Sequence, residues 1–100
     1  MPENPLSTVV KIDPKLVEHL RSEDQWAFAD GALPRKTKLI IAIAYDAAHG
    51  AVSGVKSLAQ EAIKPGATKD EIGEALRVAY VLSGIGSVYV ASQALKELFP

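Results

Sequence analysis

Between Leu39 and Ala48 the chain is apolar at almost every position, with Asp46 the single charge. The run is too short to cross a bilayer, which takes about 20 residues, so it reads as a buried helix. A helix that is apolar all round must be covered on all sides. A chain of 100 residues forms one domain and buries roughly 60–70% of its unfolded surface. Its own elements cannot enclose every face of such a segment, and contact between subunits is expected.

The flanking sequence punctuates this helix and supplies others. Residues 1–12 carry Pro2, Pro5 and the β-branched run Thr8-Val9-Val10, which reads as an extended N-terminal arm. Residues 13–100 read as a single helical domain. Asp13-Pro14 places an N-cap acid before a proline at the first helical position, and Leu16, Val17 and Leu20 follow at the spacing of an apolar stripe. Ser22-Glu23-Asp24-Gln25 has capping-box spacing and predicts a second short helix, or a kinked continuation, carrying Trp26 and Phe28. Asp30 to Pro34 reads as a turn.

The third helix runs from about Pro34 to His49. Arg35, Lys36 and Lys38 stand at its N-terminal end, where the helix dipole disfavours cations; acids on neighbouring elements are expected to answer them. Ala51 to Ile63 resumes as a helix. Thr68-Lys69-Asp70-Glu71 is a second capping box and opens the next one. Ser83-Gly84-Ile85-Gly86-Ser87 predicts a bend, and a last helix runs to about Leu98. The fold class is all-α, with five or six helices and short loops.

Several functions are excluded or disfavoured at once. Eleven Lys and Arg against twelve Asp and Glu give a net charge of −1. That balance offers no electrostatic footprint for nucleic acid or an anionic membrane, so neither is expected as a partner. The chain has no cysteine, which removes thiol nucleophiles, disulfide exchange and cysteine-held metal centres. With two histidines and no His-x-x-x-His or Glu-x-x-His spacing, no metal site and no cofactor are expected. The start MPENPLSTVV lacks the basic and apolar regions of a signal peptide, and a cytoplasmic location is the expectation. The Gly84-Ile85-Gly86 pair lacks the third glycine, the strand and the lysine of phosphate-binding loops.

Residues 31–98 carry a resemblance. Gly31-Ala32-Leu33-Pro34-Arg35-Lys36-Thr37-Lys38-Leu39-Ile40 is followed by the alanine-rich helix, by Gly50, and by Pro65-Gly66-Ala67-Thr68-Lys69-Asp70-Glu71-Ile72-Gly73-Glu74-Ala75-Leu76. These blocks, in this order, resemble the carboxymuconolactone decarboxylase family, which includes the alkylhydroperoxidase D proteins. The resemblance implies an alkylhydroperoxidase D-like helical bundle that assembles as a homotrimer or homohexamer. It also implies where family chemistry would sit. The peroxidase branch has a Cys-x-x-Cys pair, a histidine and a glutamate at positions that read Ala51, Gly54, Leu58 and Leu39 here. The decarboxylase branch has its histidine at what is here Leu58. None of these four side chains transfers a proton.

The polar residues nearest that region are Asp46, His49, Ser53 and Lys56. If one helix passes through Gly50, all four share a face. His49 is then a candidate general base, Asp46 its orienting carboxylate, and Ser53, Lys56 and Tyr45 candidate ligand contacts, with Lys56 suited to an anion. The same spacing also fits a capped helix end beside a solvated lysine. Tyr45, Tyr80 and Tyr89 read either as pocket-lining hydroxyls or as rings in the core, and Trp26 and Phe28 as anchors onto the bundle or onto another subunit. Three functions remain: acid–base chemistry at a repurposed pocket, binding of a small and perhaps anionic organic molecule without chemistry, and an accessory oligomer without a pocket.

Overall fold

The computed structural model describes residues 6–100. Six helices account for the architecture of those residues: α1 (Ser7–Ile12), α2 (Pro14–Phe28), α3 (Arg35–Ala48), α4 (Val52–Ile63), α5 (Lys69–Ser83) and α6 (Gly86–Leu95). No strand occurs among the described residues, and the all-α expectation holds.

Helix α3 is the centre of the bundle. Leu39, Ile43 and Ala47 recur every four residues and are buried against Val55, Ala59 and Ala62 of α4, Ile72 of α5, and Ala91, Ala94 and Leu95 of α6. Alanine at so many core positions lets the helices approach closely. Ile43, Ile72 and Val55 are the largest side chains with almost no exposed surface. The opposite side of α3 is a different matter. Ile41 and Tyr45 remain 55% and 62% exposed, so the chain covers only part of the apolar segment.

Two expectations for the N-terminal part need correction. Residues 1–5 of the expected extended arm lie outside the described residues, and Ser7–Ile12 is helical rather than extended. Local bonds decide it: Val10 N–H donates to the Leu6 carbonyl at 2.9 Å and Asp13 N–H to that of Val9 at 2.7 Å. The low helix propensity of three β-branched residues is a weak preference, and no strand among the described residues competes for them. Asp13 then breaks the helix, its side chain accepting from Leu16 N–H at 3.1 Å, with Pro14 at the next start. The Ser22–Gln25 spacing opens no new helix, since α2 runs unbroken from Pro14 to Phe28. A capping box works only where the N-cap residue leaves helical geometry, and nothing between residues 15 and 28 forces that.

The remaining boundaries follow the sequence. Gly50, Gly66 and Gly84 adopt positive φ of 77°, 104° and 99° after α3, α4 and α5, a conformation that favours glycine. Thr68 and Glu71 form the reciprocal box at 3.1 and 2.9 Å. The cations at the start of α3 do find acids on neighbouring helices, with Lys36 to Glu71 at 3.0 Å and Arg35 to Glu61 at 3.8 Å. Asp30 adds a contact that spacing does not reveal, accepting from Arg35 N–H at 2.7 Å to cap α3. The tyrosine rings do not enter the core: Tyr45, Tyr80 and Tyr89 are all largely exposed, as is Trp26 at 82%. No helix among the described residues is long and apolar enough to cross a membrane.

Candidate functional site

The end of α3 and the start of α4 bring Tyr45, Asp46, His49, Ser53 and Gly54 into one neighbourhood. Gly50, with its left-handed backbone, separates the two helices, so the single continuous face that would align Asp46, His49, Ser53 and Lys56 does not form. His49 instead closes α3. Its backbone N–H donates to the Tyr45 carbonyl at 3.1 Å, and its ring Nδ1 lies 2.9 Å from the same oxygen. A carbonyl oxygen only accepts, so Nδ1 carries a proton, and in the neutral ring the lone pair is then on Nε2. The ring also stacks on Tyr45, with centroids 4.1 Å apart and planes 24° apart. The imidazole is thus held from two sides while remaining open to solvent.

Asp46 does not orient that ring, and no ion pair joins the two among the described residues. Its carboxylate lies over Gly54, so close that a Cβ there would overlap it, with Asp46 Cγ 3.0 Å away. Gly54 belongs to the first turn of α4, where backbone N–H groups lack intrahelical partners and the helix dipole favours an anion. Asp46 thus sits against the N-terminal turn of α4. Ser53 is exposed on the same turn. Lys56 turns away to Glu97, Nζ to Oε2 at 3.1 Å; this contact and its attraction hold the Glu97 carboxyl below the usual range. Its charge is already answered.

A groove of about 310 Å³ lies between the end of α2 and α3, lined by Ala27, Phe28, Lys38, Ile41, Ala42, Tyr45 and Asp46. Its floor is apolar. Lys38 donates to the Ala29 carbonyl at 2.6 Å, which uses one of its three N–H bonds. Phe28, Lys38, Ile41 and Ala42 were not foreseen as site residues, because a groove between two helices depends on their crossing and not on any one spacing. The Tyr45 carbonyl was equally invisible, since every residue carries one. No cluster of three or more metal-ligating side chains occurs among the described residues.

The positions where a family resemblance would place redox or acid–base groups are inert. Leu39 is buried, Leu58 packs on the core, Ala51 is the N-cap of α4 and Gly54 lies under Asp46.

The sequence profile of the carboxymuconolactone decarboxylase family matches residues 14–97. This chain belongs to that family. Among solved structures, it is similar to a carboxymuconolactone decarboxylase family protein from Legionella pneumophila crystallised in its apo form. The two share 34% identity with a TM-score of 0.83, over 91% of this chain and 81% of the other. No functionally curated protein matched the chain. Family membership carries the bundle with it, whereas the chemistry depends on side chains. This member has no thiol and no proton carrier at Ala51, Gly54, Leu58 or Leu39, so thiol-dependent peroxide reduction is closed to it.

Proposed function

We propose that this family member binds a small organic molecule in the α2–α3 groove, as a cytoplasmic homo-oligomer of three or six subunits, with His49 as its proton acceptor. The observation that carries the reading is the imidazole of His49 stacked on Tyr45 and bonded through Nδ1 to its carbonyl, Tyr45 being itself a residue of the apolar groove. The apolar body of the ligand lies against Phe28, Ile41 and Ala42. An anionic group on it meets the two remaining N–H bonds of Lys38. Lys56, matched by Glu97, adds no net attraction. A neighbouring subunit laid over Ile41 and Tyr45 would wall the groove and exclude water, which strengthens every polar contact inside. Where the ligand carries an acidic proton, Nε2 takes it and later returns it.

The test is a backbone-amide NMR titration with a panel of alkyl and aryl carboxylates. Shifts confined to Ile41, Ala42, Tyr45 and His49, with affinity lowered about tenfold in His49→Ala, a loss of roughly 1.4 kcal/mol, support the site. Absence of shifts there returns the second reading, an accessory oligomer without a ligand. That alternative draws on a specific observation, the openness of His49 to water. Native mass spectrometry separates the two readings further: a retained small mass favours binding, and a clean assembly favours the accessory role.

A further inference from the structure

Helices α5 and α6 meet at the Gly84 corner, and a groove of about 500 Å³ runs between them. Small-molecule sites fall in the range of roughly 300–1,000 Å³. Ile72, Ala91 and Leu95, all buried, form its floor, and Leu76, Val88 and Phe99 complete its apolar lining. It shares no residue with the α2–α3 groove.

The charged groups of this groove are of one sign and at one end. Lys69 opens α5 and Lys96 follows the last residue of α6, so both lie away from the corner, whereas Leu76 and Val88 lie nearest to it. No Asp or Glu side chain lines the groove. Neither lysine has an ion pair or a side-chain hydrogen bond among the described residues. Glu97, next to Lys96 in the chain, is held by Lys56 at 3.1 Å. Asp70 and Glu74 line an adjoining hollow with Arg77, and Lys69 and Gly73 border both surfaces. Lys96 lines the groove alone.

We propose that the α5–α6 groove binds a medium-chain fatty carboxylate, its head at Lys96 and Lys69 and its tail toward Leu76 and Val88. The site goes beyond the α2–α3 reading and depends neither on it nor on His49. An apolar floor with cations at one end matches an amphiphile with an anionic head. A sugar or a nucleoside would leave its own polar groups unpaired against Ile72, Ala91 and Leu95, at a cost in affinity. The stems of the two lysines extend the apolar surface while their heads keep the charge at the rim. From Val88 to Lys96 the helix rises about 12 Å, a length that takes an extended chain of about eight to ten carbons. A singly charged head suits this end better than a phosphate, which favours arginine forks and free helix N-termini. No arginine lines the groove, and the start of α5 is already closed by the Thr68–Glu71 box.

The test is a backbone-amide NMR titration of the full chain with decanoate, and with decanol as the uncharged tail, each below the concentration at which it self-associates. Decanoate should shift Gly73, Leu76, Ser92 and Lys96 saturably, and decanol should bind about tenfold more weakly for want of two exposed charge contacts. Lys96→Gln should weaken decanoate about fivefold and Lys69→Gln about twofold, since Lys69 also borders Asp70 and Glu74, with Lys96→Arg close to wild type. Gly73→Phe should abolish the shifts, because a Cβ there meets nothing within 4 Å and the ring has room to occupy the groove. Ser92→Phe replaces it if helicity by circular dichroism falls. In the complex, the terminal methyl group of decanoate should give NOE contacts to Leu76 and Val88. Equal affinity for decanol and decanoate overturns the proposal, as does a methyl terminus beside Lys96 or binding of decyl phosphate more than tenfold tighter than decanoate. Shifts confined to Ile41, Ala42, Tyr45 and His49 overturn it and leave the α2–α3 site standing. Shifts at Gly73, Leu76, Ser92 and Lys96 that persist in His49→Ala support this groove even where the α2–α3 reading fails.

Discussion

At the scale of single residues, the Asp46–Gly54 contact is the most informative. Glycine in a helix interior costs about 1 kcal/mol relative to alanine, an upper bound for Gly54 in the first turn of α4. The Asp46 carboxylate occupies the space a Cβ would take, and an anion at a helix N-terminus contributes about 0.3–1 kcal/mol. Gly54→Ala should therefore stabilise, by at most about 1 kcal/mol, only when Asp46 is already alanine. In the presence of Asp46, the side chain must rotate off α4 and much of the gain cancels. Chemical denaturation of both single variants and the double variant tests this; equal effects of Gly54→Ala in both backgrounds would show that the two residues do not interact. A second prediction concerns His49. With Nδ1 donating to the Tyr45 carbonyl, the neutral ring should appear as the Nδ1–H tautomer in ring ¹⁵N NMR spectra, and an Nε2–H signature would remove Nε2 as the proton acceptor. Sequence spacing made His49 visible but assigned its orientation to Asp46. Side-chain types can be read from a sequence, whereas a backbone carbonyl as partner emerges only once the helix end has its geometry.

At the scale of elements, α5 and α2 show when a local signal holds. Both Thr68–Glu71 and Ser22–Gln25 have the spacing of a capping box. Pro65 and Gly66 end the preceding helix, and Gly66 has a positive φ, so Thr68 sits at extended geometry and both bonds of the box form. Nothing stops α2 before Ser22, and the same spacing there is simply helix interior. The pattern was legible in both places; the stop signal decided which one was real. Thr68→Ala should cost about 1 kcal/mol by loss of the cap, measured as a fall in the denaturation midpoint at unchanged slope. The box also confers a pH dependence. Its bond from the Thr68 backbone N–H, followed by the Lys36 contact, holds the Glu71 carboxyl below its ordinary value of 4.5. Its folded pKa is lowered, so its contribution is complete above pH 4.5 and is lost as pH falls through the folded value. Acid titration should move the Thr68 and Glu71 amide resonances together with a midpoint below 4.5, and a midpoint above it would contradict the box.

At the scale of the whole molecule, stability is divided unevenly. Helices α3 to α6 share one core, and Ile43, with no exposed surface, sits at its centre; Ile43→Ala should cost about 2–5 kcal/mol. Helix α2 has 15 residues but only Val17 is buried, while Leu16, Leu20 and Trp26 face solvent. Its isolated helicity would be marginal, because most helical stability in proteins comes from packing an apolar face. This is also where the sequence was least legible: an apolar stripe says that a helix will be covered, not whether its own chain or another does it. Hydrogen exchange can decide. Regions with few buried contacts open at low free energy, while core helices exchange only near global unfolding. In dilute protein the amides of α2 should exchange much faster than those around Ile43 and Val55. If a neighbouring subunit covers α2 and the Ile41–Tyr45 side of α3, raising the protein concentration should slow exchange in α2 and leave the core amides unchanged. Slow exchange in α2 at every concentration, in a protein that stays monomeric, would mean that the fifteen residues are held by their own chain after all, and would remove α2 from the list of surfaces awaiting a partner.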